Sequence, residues 1–370
     1  MAIDISNLLR LMVQKGISDI HFKADSVPAF RLHGSMILAS NLQKLSADDI
    51  KSIASQLMTP EQAKQFEQEL ELDMAFTLDG VSRFRLNVFR QRRTIGLTLR
   101  VVPTKLHTFE ELNLPVEPLK KLAQETRGLI LFSGITGAGK TTTMNHFVHH
   151  LNTNHAYRVI TIEDPIEYYH IDIKSTIVQR EVGYDTRSFG HALKHILRQD
   201  PDVVVIGEMR DLETMQAAIA AAETGHLVLS TVHTMDTVQT VQRIVDAYPA
   251  HMHDAVRMQL ANCLKGIVGQ RLVLAKDGKR RLPANEILIN NSAVRQQLLD
   301  GKLGEVYKTL ENGAYYGMQT FDQDLVRLVH EDKIEAKTAV DASTTPQDLA
   351  LKLQSRDSEA SASGGAPAAL

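Results

Sequence analysis

The chain has 370 residues, with 41 Lys and Arg against 44 Asp and Glu, a net charge of −3, and 43% hydrophobic residues. This length suits two domains or one large one, the apolar fraction supports a real core, and the near-balanced charge argues against a bulk nucleic-acid binder. A single cysteine, Cys263, excludes a disulfide framework and a four-cysteine zinc site, and fits a reducing compartment.

Met1 to Met12 carries Asp4 and Arg10 inside a helical pattern, without the basic start, apolar run and cleavage site of a secretory signal. No apolar run reaches the ~20 residues that span a bilayer, so a soluble intracellular protein without direct membrane insertion is expected. Ile5, Leu8, Leu9, Met12 and Val13 predict a helix over 5–15, stopped by Gly16. Short strands are expected at 19–22 and 29–32, with Gly34 in a turn. Ser46 with Asp49, and Thr59-Pro60-Glu61-Gln62, are capping signals that predict helices over 47–57 and 60–69. Strands follow at 72–78, 81–89 and 94–102, the first two joined through an Asp79-Gly80 turn. Alternation puts Arg83, Arg85 and Asn87 on one strand face and Phe84, Leu86 and Val88 on the other.

Residues 1–103 therefore read as a small α+β domain, and Pro103-Thr104 and Leu114-Pro115 bracket a linker at 104–114. Residues 115–342 read as a second domain, and from 128 the pattern changes. Apolar runs at 129–133, 159–162, 203–206 and 227–231 alternate with helical segments at 140–152, 187–198 and 212–224. That alternation predicts an α/β fold with a mostly parallel sheet covered by helices. Val256, Leu260, Leu264 and Ile267 predict a helix over 253–268, with Cys263 packed beside its apolar stripe. An Asp277-Gly278 turn predicts a hairpin between Arg271–Leu274 and Asn285–Ile289. The Ser/Ala/Gly-rich segment 343–370 reads as a disordered tail.

Gly134-Ile135-Thr136-Gly137-Ala138-Gly139-Lys140-Thr141 matches the phosphate-loop pattern G-x-x-x-x-G-K-[ST] between a strand and a helix. Glycines let backbone N–H groups converge on phosphate oxygens, and the helix N-terminus adds a positive dipole. Gly134, Thr136, Gly137, Ala138, Gly139, Lys140, Thr141 and Thr142 are thus candidate ATP contacts. Lys140 suits the β- and γ-phosphates, and the Thr141 hydroxyl suits Mg²⁺. Hydrolysis needs carboxylates at neighbouring strand ends. Val159–Ile162 runs into Glu163, and Val203–Gly207 runs into Glu208. One acid would serve the metal and one the attacking water, and spacing leaves open which is which. His226 and His233 flank the strand at 227–231 as candidate sensors of the phosphates or of a neighbouring subunit. His146, His149 and His150 share one helix face without a completing carboxylate or cysteine, so a solvent-facing or interface cluster is expected rather than a metal site.

Together, Gly134–Thr141, Ile162–Tyr168, Arg198–Asp211 and Ala222–His226 resemble the secretion ATPases of type II/IV systems, and within them the type IV pilus retraction ATPases, the PilT/PilU group. The resemblance runs from Leu8 to about 340. It implies a PAS-like N-terminal domain, a RecA-like ATPase domain and a homohexamer. It implies a hexameric ATP-hydrolysing motor for pilus retraction and twitching motility at the cytoplasmic face of the bacterial inner membrane. The implied partners are an inner-membrane pilus platform protein and other pilus ATPases, with no nucleic acid. By the same resemblance Glu163 is the catalytic base, Glu208 sits at the atypical Walker B position with a metal role, His226 and His233 form the histidine box, and Arg83 and Arg85 are N-domain arginines near the nucleotide. Two departures leave an accessory retraction ATPase of the PilU kind as the alternative. Ala220 stands where retraction members commonly have arginine, and Ala293–Leu299 only partly keeps a C-terminal motif. An assembly ATPase is the more distant alternative, because those usually carry the four-cysteine motif that this chain lacks.

Overall fold

The computed structural model describes residues 4–32, 35–40, 42–78, 80–102 and 106–363, with side chains described as far as 354. Gly34, Asp79 and Pro103-Thr104, invoked above as turn or linker residues, lie outside them. Contacts divide the chain into two compact units, Met1–Lys105 with Glu167–Tyr169, and Leu106–Ile166 with His170–Leu370.

The first unit contains α1 (Ile5–Gln14), β1 (Ile17–Lys23), β2 (Ala29–Leu32), β3 (Ser35–Leu38), α2 (Ala47–Leu57), α3 (Pro60–Glu69), β4 (Glu71–Leu78), β5 (Ser82–Gln91) and β6 (Thr94–Val102). Among the described residues its antiparallel sheet has the order β3-β2-β1-β6-β5-β4. Gly16 takes φ +68°, a left-handed conformation that ends α1. Both α2 and α3 carry full capping boxes, Ser46 with Asp49 and Thr59 with Gln62. Phe84, Leu86 and Val88 of β5 join Leu9, Met12, Ile20, Ile50, Ile53 and Phe66 in the core, while Arg83, Arg85 and Asn87 line the less buried face. Burying one such aromatic or aliphatic side chain contributes about 1.5–3 kcal/mol, which is why alternation fixes which face of the strand turns inward.

The second unit begins with α4 (Val116–Leu122), β7 (Gly128–Ser133), α5 (Lys140–Asn154), β8 (Arg158–Glu163), β9 (Thr176–Glu181), α6 (Phe189–Ile196), β10 (Val203–Ile206), α7 (Leu212–Glu223) and β11 (Leu227–Val232). It continues with α8 (Thr237–Asp246), α9 (His253–Cys263), β12 (Leu264–Leu274), β13 (Arg281–Ile289), α10 (Ser292–Leu299), α11 (Leu303–Glu311), α12 (Phe321–His330), α13 (Ala336–Ala342) and α14 (Pro346–Ser363). The sheet order is β13-β12-β7-β11-β10-β8-β9, parallel except where β13 returns antiparallel to β12. Strands β7, β10 and β11 are buried at every residue, because helices cover both faces. One core layer holds Leu129, Leu131 and Val228 against α7, α8 and α9, and the opposite layer holds Ile130, Phe132 and Leu229 against α5.

Three expectations need correction. The helix expected over 253–268 ends at Cys263, and Leu264 starts β12. Pairing with β7 and β13 outweighs the helical spacing, and a Cβ at Gly266 would meet the Leu288 carbonyl oxygen at 2.8 Å. The segment from 343 is not uniformly structureless. Helix α14 covers Pro346–Ser363, and Leu349 and Leu353 pack against Leu325 and Leu328. Finally, His146 is buried, not solvent-facing: its ring stacks on His107 at 6.0 Å, and its Nδ1 lies 2.7 Å from the Thr142 carbonyl. Burial depresses its pKa. Cys263 is buried as expected, and burial pushes its thiol up to about 12, so it is an inert packing group.

Candidate active site

The phosphate loop leaves the carboxyl end of β7 and turns into α5. Gly134, Gly137 and Gly139 all have positive φ, at +154°, +78° and +84°. Space is the second reason for glycine. A Cβ at Gly134 would meet the Gln270 carbonyl oxygen at 2.5 Å, and one at Gly139 would meet Gln270 Nε2 at 2.7 Å. Lys140, largely buried, donates from Nζ to the Ile135 carbonyl at 3.1 Å, across the mouth of the loop. The Ala138 N–H bonds to the same carbonyl at 3.1 Å.

His233, just past the end of β11, connects this loop to an acid. Its Nδ1 lies 3.4 Å from Thr136 Oγ1, and its Nε2 lies 3.1 Å from Glu208 Oε1. A carboxylate only accepts, so Nε2 carries the proton toward Glu208. Arg210 Nε also donates to Glu208 Oε1, at 2.7 Å. Burial raises the Glu208 pKa. The Arg210 hydrogen bond and the charges of His233, Arg210 and Lys140 outweigh it, so the net shift is downward. Glu208 is therefore an anion at neutral pH, within the field of the phosphate-loop lysine Lys140.

Glu163 ends β8 on the same edge of the sheet. It is almost fully buried, and its Oε1 accepts from Thr161 Oγ1 at 2.7 Å and from Gln179 Nε2 at 3.1 Å. With β11 and β10 between β8 and β7, strand spacing puts the two strand ends ~14 Å apart. Thr141 and Thr142 stand in the first turn of α5. The fold thus gathers the loop, Lys140, His233 and Glu208 by direct contact and sets Glu163 apart along one edge. Arg83 and Arg85 lie on β5 of the first unit, opposite Val102 and Arg100 in the ladder with β6.

His226 does not join this site within the chain. It immediately precedes β11, level with the start of β7, and its own carbonyl accepts from the Gly128 N–H at 2.9 Å. Six strand residues at ~3.3 Å each place it ~20 Å from the loop end of the sheet. Its Nδ1 is 3.0 Å from the Ala221 carbonyl, so it caps the end of α7, and within one chain it stands apart from the phosphate loop. Parallel strands separate the two histidines because chemistry collects at carboxyl ends, and His226 stands at an amino end.

Sequence reasoning missed Gln270 and Glu286. Gln270, on β12, donates from Nε2 to the Ala138 carbonyl at 2.8 Å and accepts at Oε1 from Thr143 Oγ1 at 2.6 Å. Glu286, on β13, accepts at Oε1 from the Thr237 N–H at 2.9 Å and the Thr237 hydroxyl at 2.8 Å. Both are buried. A polar side chain inside an apolar strand run was the available signal.

A family profile described as type II/IV secretion system protein matches residues 1–350. The type IV pilus retractation ATPase PilT of Pseudomonas aeruginosa is 39% identical over 94% of this chain and 100% of its own length. The type IV pilus ATPase PilU of the same organism is 40% identical over 95% of this chain and 91% of its own. A crystal structure of the pilus retraction motor PilT with bound ADP, 39% identical, superposes with a TM-score of 0.87 over 94% of this chain and 98% of that one. The Legionella pneumophila ATPase DotB shares the fold, with a TM-score of 0.76 at 24% identity over 92% of this chain and 95% of that one.

Proposed function

This chain belongs to the type II/IV secretion system protein family, and on that premise we propose that it is an ATP-hydrolysing motor that retracts type IV pili. It is a PilT/PilU-type ATPase with a RecA-like fold, and it binds nucleotide. The observation that carries the reading is the unbroken contact path from the phosphate loop through Thr136 and His233 to an ionised Glu208. A path of this kind lets the occupancy of the loop be felt by the residues at the neighbouring strand ends.

In the proposed chemistry Lys140 exchanges its bond to the Ile135 carbonyl for the β- and γ-phosphates. Glu163 orients the attacking water and takes its proton, and Thr161 and Gln179 hold the carboxylate in one orientation. The donors near the loop suit Mg²⁺: a threonine hydroxyl at Thr141 and the anionic Glu208 are oxygen ligands for a hard cation, which when bound neutralises phosphate charge. Arg83 and Arg85, on the less buried face of β5, are the proposed cationic contribution of the first unit.

The proposed assembly is a homohexameric ring at the cytoplasmic face of the inner membrane, acting on a membrane platform protein and working beside other pilus ATPases. Among the described residues no helix is long and apolar enough to cross a membrane, so the force is proposed to pass through that partner. The accessory role of a PilU-like enzyme is the second reading, favoured by Ala220 and by the 40% identity to PilU. Deleting the gene in its host, then complementing with the parent or with Lys140→Ala, tests the function. Cells crowded with pili that do not retract, rescued by the parent alone, are expected. Bare cells would move the assignment to assembly.

A further inference from the structure

Strands β12 and β13 put two polar side chains on adjacent rungs of one ladder, where Gly269 pairs with Glu286 and Gln270 with Asn285. Successive residues point to opposite faces of a sheet. Gln270 therefore reaches α5 and the phosphate loop on one face, while Glu286 reaches the start of α8 on the other. Gln270 holds the loop at two points, the Ala138 carbonyl before the lysine and the Thr143 hydroxyl after it. Asn285 secures that amide, donating from Nδ2 to Gln270 Oε1 at 3.2 Å, while its own N–H is held by Asp324 Oδ2 at 2.8 Å.

Glu286 fixes the other partner. Its carboxylate takes both the N–H and the hydroxyl of Thr237, which opens α8 only four residues after His233. The segment from His233 to Thr237 is thereby tied at its far end to the same strand pair that ties the loop. Across the gap Thr136 Oγ1 stands 3.4 Å from His233 Nδ1, which is long for a hydrogen bond, so a small displacement of either side breaks it.

We infer that Gln270 and Glu286 are positioning residues that set the spacing between the phosphate loop and the His233–Glu208 pair. Each acts through the segment it holds, Gln270 through Ala138 and Thr143 and Glu286 through Thr237. The inference rests on the ATPase reading above and adds a division of labour. Gln270 governs how well the loop fits phosphates already in the ground state, so its loss raises KM. Glu286 governs how His233 and Glu208 meet the reacting phosphate, so its loss lowers kcat.

The test is steady-state ATP hydrolysis by the full-length protein with Mg²⁺, alongside binding of ADP. Gln270→Leu keeps the volume and removes both bonds, and KM and the ADP Kd are expected to rise about tenfold with kcat within about threefold of the parent. Glu286→Leu is expected to lower kcat about tenfold with little change in KM, and Glu286→Gln, which still accepts from Thr237, is expected to restore the parent rate. Should the leucine variants fail to fold, Thr143→Val and Thr237→Val each delete one hydroxyl from the same contacts. They are expected to show the same split at a smaller size. Parent-like constants in these variants, or KM and kcat changing together with no rescue by Glu286→Gln, would overturn the positioning roles while leaving the ATPase standing. A parent that neither binds ADP nor consumes ATP would instead bring down the functional reading, and this inference with it.

Discussion

Acid is a clean probe of the packing beneath the phosphate loop. His170 is 5% exposed, and its Nε2–H donates to Asn145 Oδ1 at 2.8 Å. Asn145 in turn donates to the Thr141 carbonyl at 2.9 Å, in the first turn of α5. Burial, aided by His149 and His146, lowers the His170 pKa from 6.5 to about 4. The ring is neutral in both folded and unfolded chains at pH 7.5. Between 6.5 and about 4 the unfolded chain takes up a proton that the folded chain refuses, so stability falls as pH falls through that window and levels off below it. The loss is about 2 kcal/mol at pH 5 and about 3 kcal/mol once the folded ring has titrated. His170→Gln keeps an amide donor for Asn145 and cannot titrate. Urea unfolding of both proteins at pH 7.5 and pH 5 is the assay, and the parent is expected to lose about 2 kcal/mol more than the variant. Other buried histidines are common to both proteins and cancel in the comparison. Equal losses in parent and variant would show that His170 is not held neutral by burial, and the reasoning would fail.

Other substitutions probe the site directly. Lys140→Ala is expected to cut ATP turnover at least 100-fold with an unchanged circular dichroism spectrum, because it removes the cation facing the loop. Glu163→Gln and Glu208→Gln are expected to leave ADP binding within about threefold while slowing hydrolysis at least 100-fold. Either variant turning over ATP at the parent rate would remove that acid from the mechanism. His226→Ala is expected to keep the ADP affinity of the parent in calorimetry, since that residue stands at the other end of β11. A tenfold loss would mean that a neighbouring copy brings it to the nucleotide.

The amino-acid sequence alone determined the features that are local in origin. Capping boxes at Ser46 and Thr59 start α2 and α3 where the hydrogen bonds are found, because a cap is satisfied within four residues. Buried strands alternating with helices gave the parallel sheet, and the glycines with Lys140 and Thr141 gave the phosphate loop. The acids at 163 and 208 were legible because parallel strands expose their carboxyl ends on one edge.

What only the tertiary structure decided depends on partners distant in the chain. Strand β9 has no apolar run and exists through its ladder with β8. Leu264 leaves a helical pattern for a strand because β7 and β13 offer it hydrogen bonds. His226 and His233 look equivalent on paper, yet six strand residues put them at opposite edges of the sheet. Gln270 and Glu286 carry no motif, since their meaning lies in Ala138, Thr143 and Thr237, between 49 and 132 residues away along the chain. Local propensities fix elements within a few residues, whereas a side chain's role is set by what folding places against it.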